Sequence, residues 1–109
     1  MSCHYFLFSY SVSPTDLNNS EKVEKSDRVR RKIAEIDELF WNKEDDIETT
    51  FFGEISLKSS DINSKRSEAK EFVKKIIKNV MEENDAFYCV SVEVSMMVDK
   101  LGERIKFSI

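Results

Sequence analysis

The amino-acid sequence predicts an α+β fold, a two-layer α/β sandwich of order β-α-β-α-β-β in which two helices cover one face of a four-stranded mixed sheet. Three observations predict it. Four stretches alternate apolar and polar side chains with period two, as strands with one buried face do. Two others place apolar residues three and four apart, as helices that bury a single stripe do. The 109 residues include only 2 Gly and 1 Pro against 40% hydrophobic residues. That is little linker material, and length enough for one core and not two. Residues 1–109 are therefore expected to form a single domain.

The first strand runs from His4 to Val12, with His4, Phe6, Phe8, Tyr10 and Val12 on one side and Tyr5, Leu7, Ser9 and Ser11 on the other. Pro14 ends it, because its ring removes a backbone donor. A helix then starts at Ser20 or Ser26, and its inward stripe is Val29, Ile33, Ile36 and Phe40. Trp41 anchors the rim of the domain before a loop over residues 42–46. The second strand is expected from Ile47 to Lys58, with Ile47, Thr49, Phe51, Ile55 and Leu57 inward and Glu48, Thr50, Phe52, Glu54 and Ser56 outward. The alternation keeps its phase across Gly53, which predicts one continuous strand; a bulge or a turn at this glycine are the alternatives. A turn there would make the stretch a hairpin, and the fold would then approach the ferredoxin-like order βαββαβ.

The second helix follows Ser64 or Ser67 as N-cap and carries the stripe Ala69, Phe72, Val73, Ile76, Ile77, Val80 and Met81. Burying these side chains, at about 1.5–3 kcal/mol for each large one, offsets the weak helix propensity of the β-branched ones. From Phe87 to Val98 the even positions Tyr88, Val90, Val92, Val94, Met96 and Val98 are all apolar, which predicts a long third strand. Residues 99–103 form a hairpin loop with Gly102 at positive φ, and Ile105, Phe107 and Ile109 repeat the alternation in a fourth strand. Right-handed crossovers favour the strand order 1-2-3-4. A mixed sheet with the second strand at an edge fits the same alternation.

The formal net charge is −4, and residues 1–50 hold 7 Lys/Arg against 11 Asp/Glu whereas residues 51–109 hold 10 of each. Such a balance argues against general binding to phosphate backbones, which needs a surplus of Lys and Arg on one face. A more basic protein is the better electrostatic match. No apolar run approaches the roughly 18 residues of a membrane span, and Tyr5 to Tyr10 lacks the flanks of a signal peptide, which predicts a cytoplasmic protein. Two cysteines, Cys3 and Cys89, are too few for a disulfide scaffold and read as free thiols.

No Gly-rich phosphate loop or HExxH motif is present, and His4 is the lone histidine, so neither catalytic residues nor a cofactor or metal site is expected. A Cys89–His4 pair would form only if the first and third strands were neighbours. Covering one face of the sheet leaves the other open, and the outward side chains Cys3, Tyr5, Leu7, Thr50, Phe52, Glu93 and Met97 are too apolar in places for ordinary solvent surface. The expected partner-binding residues are Tyr5, Leu7, Phe52 and Glu93 on that face, with Asp45, Asp46 and Glu48 as an acidic loop that steers a basic partner.

The stretch His4 to Tyr10, followed by a helix and a second strand, resembles the opening of the Cas2-like ferredoxin-fold proteins. That resemblance implies an acidic metal ligand at the end of the first strand, where Ser9, Tyr10 and Ser11 stand instead and Asp16 follows later. Two functional expectations result. The first is a non-enzymatic interaction module, a small acidic protein of the immunity, antitoxin or inhibitor type that binds a more basic protein, or one that dimerises through the open sheet face. The alternative is a ferredoxin-like nucleic-acid-binding or metal-dependent nuclease-type protein, in which Tyr5 and Phe52 stack bases and Arg28, Arg31 and Lys32 touch phosphate.

Overall fold

The computed structural model describes all residues, Met1–Ile109. Its elements are β1 (Ser2–Pro14), α1 (Ser20–Ala34), β2 (Trp41–Lys43), β3 (Thr50–Leu57), α2 (Ile62–Glu83), β4 (Val90–Val98) and β5 (Ile105–Ser108). The strands form one five-stranded sheet in the order β2-β3-β1-β4-β5, and every pairing is antiparallel. Three expectations are corrected here. The sheet has five strands rather than four, it is antiparallel rather than mixed, and β1 lies at its centre rather than at an edge. The ferredoxin-like order is not matched as it stands, since β5 adds a strand beside β4.

The physical reason lies in how the chain leaves α1. That helix is capped by Asn19, whose side chain accepts from the Lys22 N–H at 3.1 Å, and it ends at Ala34 rather than running on to Phe40. Phe40 takes φ 68°, a reversal that lays Trp41–Lys43 antiparallel against residues 51–53 of β3. The indole of Trp41 folds over the sheet's inner face among Phe6, Phe8, Phe51 and Phe72, with ring centroids 5.2–6.2 Å apart. Such edge-on and tilted pairs add to area burial. Ile47 is exposed and β3 begins only at Thr50, so the turn of the hairpin lies before Thr50. β3 runs unbroken through Gly53, as the alternation predicts, with neither a turn nor a bulge there. Gly53 pairs with Trp41, and a Cβ there would collide with the Phe40 carbonyl oxygen.

Helix α2 starts about one turn before Ser64 and nearly two before Ser67, because Asp61 is the N-cap and accepts from the Ser64 N–H at 2.9 Å. That bond holds the Asp61 carboxyl below its ordinary range. The Glu68 carboxylate reaches back to the Lys58 and Ser59 N–H groups and the Ser59 hydroxyl at 2.8–3.0 Å, which pins the loop after β3 and lowers its pKa too. Arg66 donates to the carbonyls of Leu101, Glu103 and Arg104 in the loop before β5. Gly102 in that loop has φ 89° as expected, and Lys100, two residues before it, has φ 67°.

Strand β4 opens at Val90, not Phe87. Residues 86–89 form a turn in which Cys89 N–H donates to the Ala86 carbonyl, and Tyr88 is exposed rather than inward. One cluster of 22 buried apolar residues joins the inner sides of β1, β3, β4 and β5 to Val29 and Ile33 of α1 and Ala69, Val73, Ile77 and Met81 of α2. Both helices therefore cover the same face. No helix is long and apolar enough to cross a membrane.

Candidate functional site

With both helices on one side, the other side of the sheet is defined by the alternate residues of each strand. The register places Phe52 opposite Leu7, Leu7 opposite Met97, and Asn42 opposite Phe52, so one row crosses β2, β3, β1 and β4 side by side. Leu7 is 44% exposed, Phe52 39% and Met97 47%. These values are high for large apolar side chains in the middle of a sheet, and they arise because nothing packs above them. The next row toward the start of β1 holds Tyr5, 67% exposed, opposite Glu54. Tyr5, Leu7 and Phe52 line a shallow groove of about 610 Å³ together with Phe40, Asn42 and Glu54. The structure thus brings together three of the expected partner-binding residues.

The far half of the same face is polar. Ser9, Ser11, Glu93 and Ser95 line a second depression of about 480 Å³ with Arg104 and Lys106. Glu93 accepts from the Ser108 hydroxyl at 2.7 Å, and it lies on the expected face but two rows beyond the apolar one, opposite Ser11. Thr50, assigned to this face by its parity, is buried, and its hydroxyl lies 2.8 Å from that of Ser9.

The acidic residues go elsewhere. Asp45, Asp46 and Glu48 are exposed in the turn between β2 and β3. Asp45 and Glu48 line a depression of about 420 Å³ with Tyr10, Arg30, Arg31 and Lys43, on the helix side of the sheet edge. Neighbouring guanidinium groups offset part of their charge. The Tyr10 phenol donates to the Glu48 carbonyl at 3.5 Å, and burial pushes its pKa up to about 12, against the opposing pull of Arg30. The expected site is thus two separate surfaces.

Comparison of the chain with protein-family models, curated proteins and solved structures found no match. The reading rests on the geometry. No group of three His, Cys, Asp or Glu side chains is placed to hold a metal ion. His4 is buried at the start of β1, with Nδ1 donating to the Asp99 carbonyl and Nε2 beside the Ser2 hydroxyl, each at 2.9 Å. Cys89 lies at the opposite end of β1, where its carbonyl accepts from Thr15 N–H and its Sγ is 4.0 Å from Lys25 Nζ. A Cys89–His4 pair is therefore not formed, even though β1 and β4 are neighbours. Arg28, Arg31 and Lys32 sit on α1, in the layer away from Tyr5 and Phe52.

Phe40, Asn42, Arg104 and Lys106 are the face residues that sequence reasoning missed. For Phe40 and Asn42 the signal was their alternation with Trp41 and Lys43, but four residues are too few to distinguish a strand from a loop; for Lys106 it was the place between inward Ile105 and Phe107.

Proposed function

We propose that this protein is a non-enzymatic interaction module that docks through its open sheet face. The observation that carries the reading is the row Phe52, Leu7 and Met97, flanked by Tyr5 and Phe40, unpacked at the centre of a sheet whose opposite face is fully covered. Exposing such a row costs solubility and brings no folding energy, so its use is in association. A small acidic protein of the immunity, antitoxin or inhibitor type, holding a more basic protein, fits the net charge of −4 and the exposed turn with Asp45, Asp46 and Glu48. In that arrangement the apolar row supplies affinity and the acidic turn supplies steering.

The test compares the wild type with Leu7→Asp, whose fold is checked by circular dichroism, in capture from the native host followed by identification of what is retained. Proteins retained by the wild type and lost from Leu7→Asp support the reading. Identical retention by both overturns it.

A second reading draws on Tyr5 and Phe52 as outward aromatics with Arg104 and Lys106 on the same face. These features would suit single-stranded nucleic acid in a fold that approaches the ferredoxin-like order. Salt-dependent binding to a single-stranded RNA, lost in Tyr5→Ala with Phe52→Ala, would favour it over protein docking.

A further inference from the structure

We infer that the end of β3 that β2 leaves bare, residues 54–57, is a docking edge for an extended peptide segment of alternating basic and apolar residues, which adds a strand in line with β2. This edge lies at the side of the sheet, apart from the open face, and it is a second surface independent of the docking reading above.

Strand β3 is eight residues long and β1 pairs with all of it, whereas β2 pairs only with residues 51–53. The even residues of β3 turn their backbone groups to the β2 side. Thr50 N–H donates to the Ile47 carbonyl of the turn, and Glu54 N–H donates to the Phe40 carbonyl at 3.1 Å, which is the last rung. Ser56 is next in phase. Its N–H and carbonyl, with the Glu54 carbonyl, therefore point to an edge where no strand lies. Beyond it the Lys58 N–H is closed by the Glu68 carboxylate. Natural edges are blunted by lysine, proline or a bulge, and residues 54–57 hold none of these. Donor and acceptor groups alternating along an edge are matched by an extended chain.

A cavity of about 250 Å³ opens beside the bare rung, lined by Glu38, Leu39, Phe40, Glu54, Ser56 and Phe72 among others. Leu39, Phe40 and Phe72 are exposed apolar side chains. Paired residues of a ladder share a face. The ligand residue opposite Ser56 thus projects on the open-face side, diagonal to Glu54, and its two neighbours project on the helix side toward Phe72. A ligand of period two suits both sides. The charged groups of the lining are Glu38 and Glu54, with no cation among them, which selects lysine or arginine for the first position. The bare edge of a second copy would bring two more carboxylates into the same cleft, so a basic peptide is the better occupant.

The experiment titrates the full chain with a short synthetic peptide of alternating lysine and valine, by calorimetry and by amide exchange read residue by residue. Two control peptides accompany it: one of alternating glutamate and valine, and one with the lysine backbone nitrogens methylated, which keeps the charge and removes the donors that face β3. The expected result is binding of the lysine–valine peptide alone, with slowed exchange of the Ser56 amide. Ser56→Pro removes the donor at an edge position where proline is tolerated, and should weaken binding about 10-fold. Glu54→Lys, which leaves the backbone edge intact, should weaken it to a similar degree and turn the preference to the glutamate–valine peptide. Leu7→Asp should bind as the wild type does. Circular dichroism checks the fold of each variant. Absence of binding overturns the inference, as do equal binding of the methylated peptide, unchanged exchange at Ser56, or a Glu54→Lys variant that keeps the original preference. Binding lost in Leu7→Asp but kept in Ser56→Pro places the peptide on the open face, so the edge falls and the docking reading stands. A chain that itself dimerises, in light scattering, through an edge that Ser56→Pro disrupts makes the occupant a second copy and overturns the inference too.

Discussion

At Gly53 an added methyl would run into the Phe40 carbonyl oxygen, the acceptor for the Glu54 N–H. Gly53→Ala must push β2 off β3 to make room. The expected cost is about 2–3 kcal/mol, read by denaturant unfolding, with faster amide exchange at Glu54. The sequence singled out this glycine, yet the reason for it was hidden, since a close approach of backbone from elsewhere leaves no trace in local pattern. Tyr10 is a different case, in which parity alone placed the side chain inward. Its pKa of about 12 in the fold lies above the ordinary 10.0. The unfolded chain therefore gives up this proton first, and the contribution is intact below pH 10 and lost as pH rises through 12. The loss should be on the order of 2–3 kcal/mol. Ultraviolet titration of the phenols should show a late step near pH 12 that Tyr10→Phe removes, together with the corresponding part of the alkaline fall in stability.

Arg66 joins two elements that share no backbone bonds. Its guanidinium on α2 gathers three carbonyls of the loop between β4 and β5, a fork geometry that a single ammonium cannot copy. Arg66→Ala should cost about 2 kcal/mol, and Arg66→Lys should recover less than half of it. Hydrogen exchange should show the loss concentrated at residues 99–105. Elements with long periodic patterns were legible: β1, α2 and β4 were read from alternation or stripe alone. Their ends were not, because caps are set by one side chain reaching one N–H. Asp61 outcompetes Ser64 and Ser67 for that position, and nothing in local composition ranks the three. Strand β2 was invisible for a related reason. Three residues carry no period, and they become a strand only because Gly53 and the φ of Phe40 let them approach β3.

Across the whole molecule, the open face was legible, since each strand showed one apolar side and both helices showed a single stripe. The order of strands was not, because alternation says which way a side chain points and nothing about which strand lies beside it. Central placement of β1 sets the energetics. Phe8 is fully buried, stacked with Phe51 at 5.4 Å and edge-on to Trp41 at 5.2 Å. Phe8→Ala should cost about 3–5 kcal/mol, a large share of the roughly 5–15 kcal/mol available to a domain. Thermal unfolding should then begin near room temperature. The same placement governs the order of events at the ribosome. β1 is synthesised first, but it can complete its ladder only when Met96 arrives to pair with Phe8. Until then its β4-facing edge stays bare, an adhesive edge on a nascent chain. Truncations that stop before Val90 should consequently accumulate in inclusion bodies, whereas the same segments co-expressed with a separate 85–109 peptide should be rescued in part.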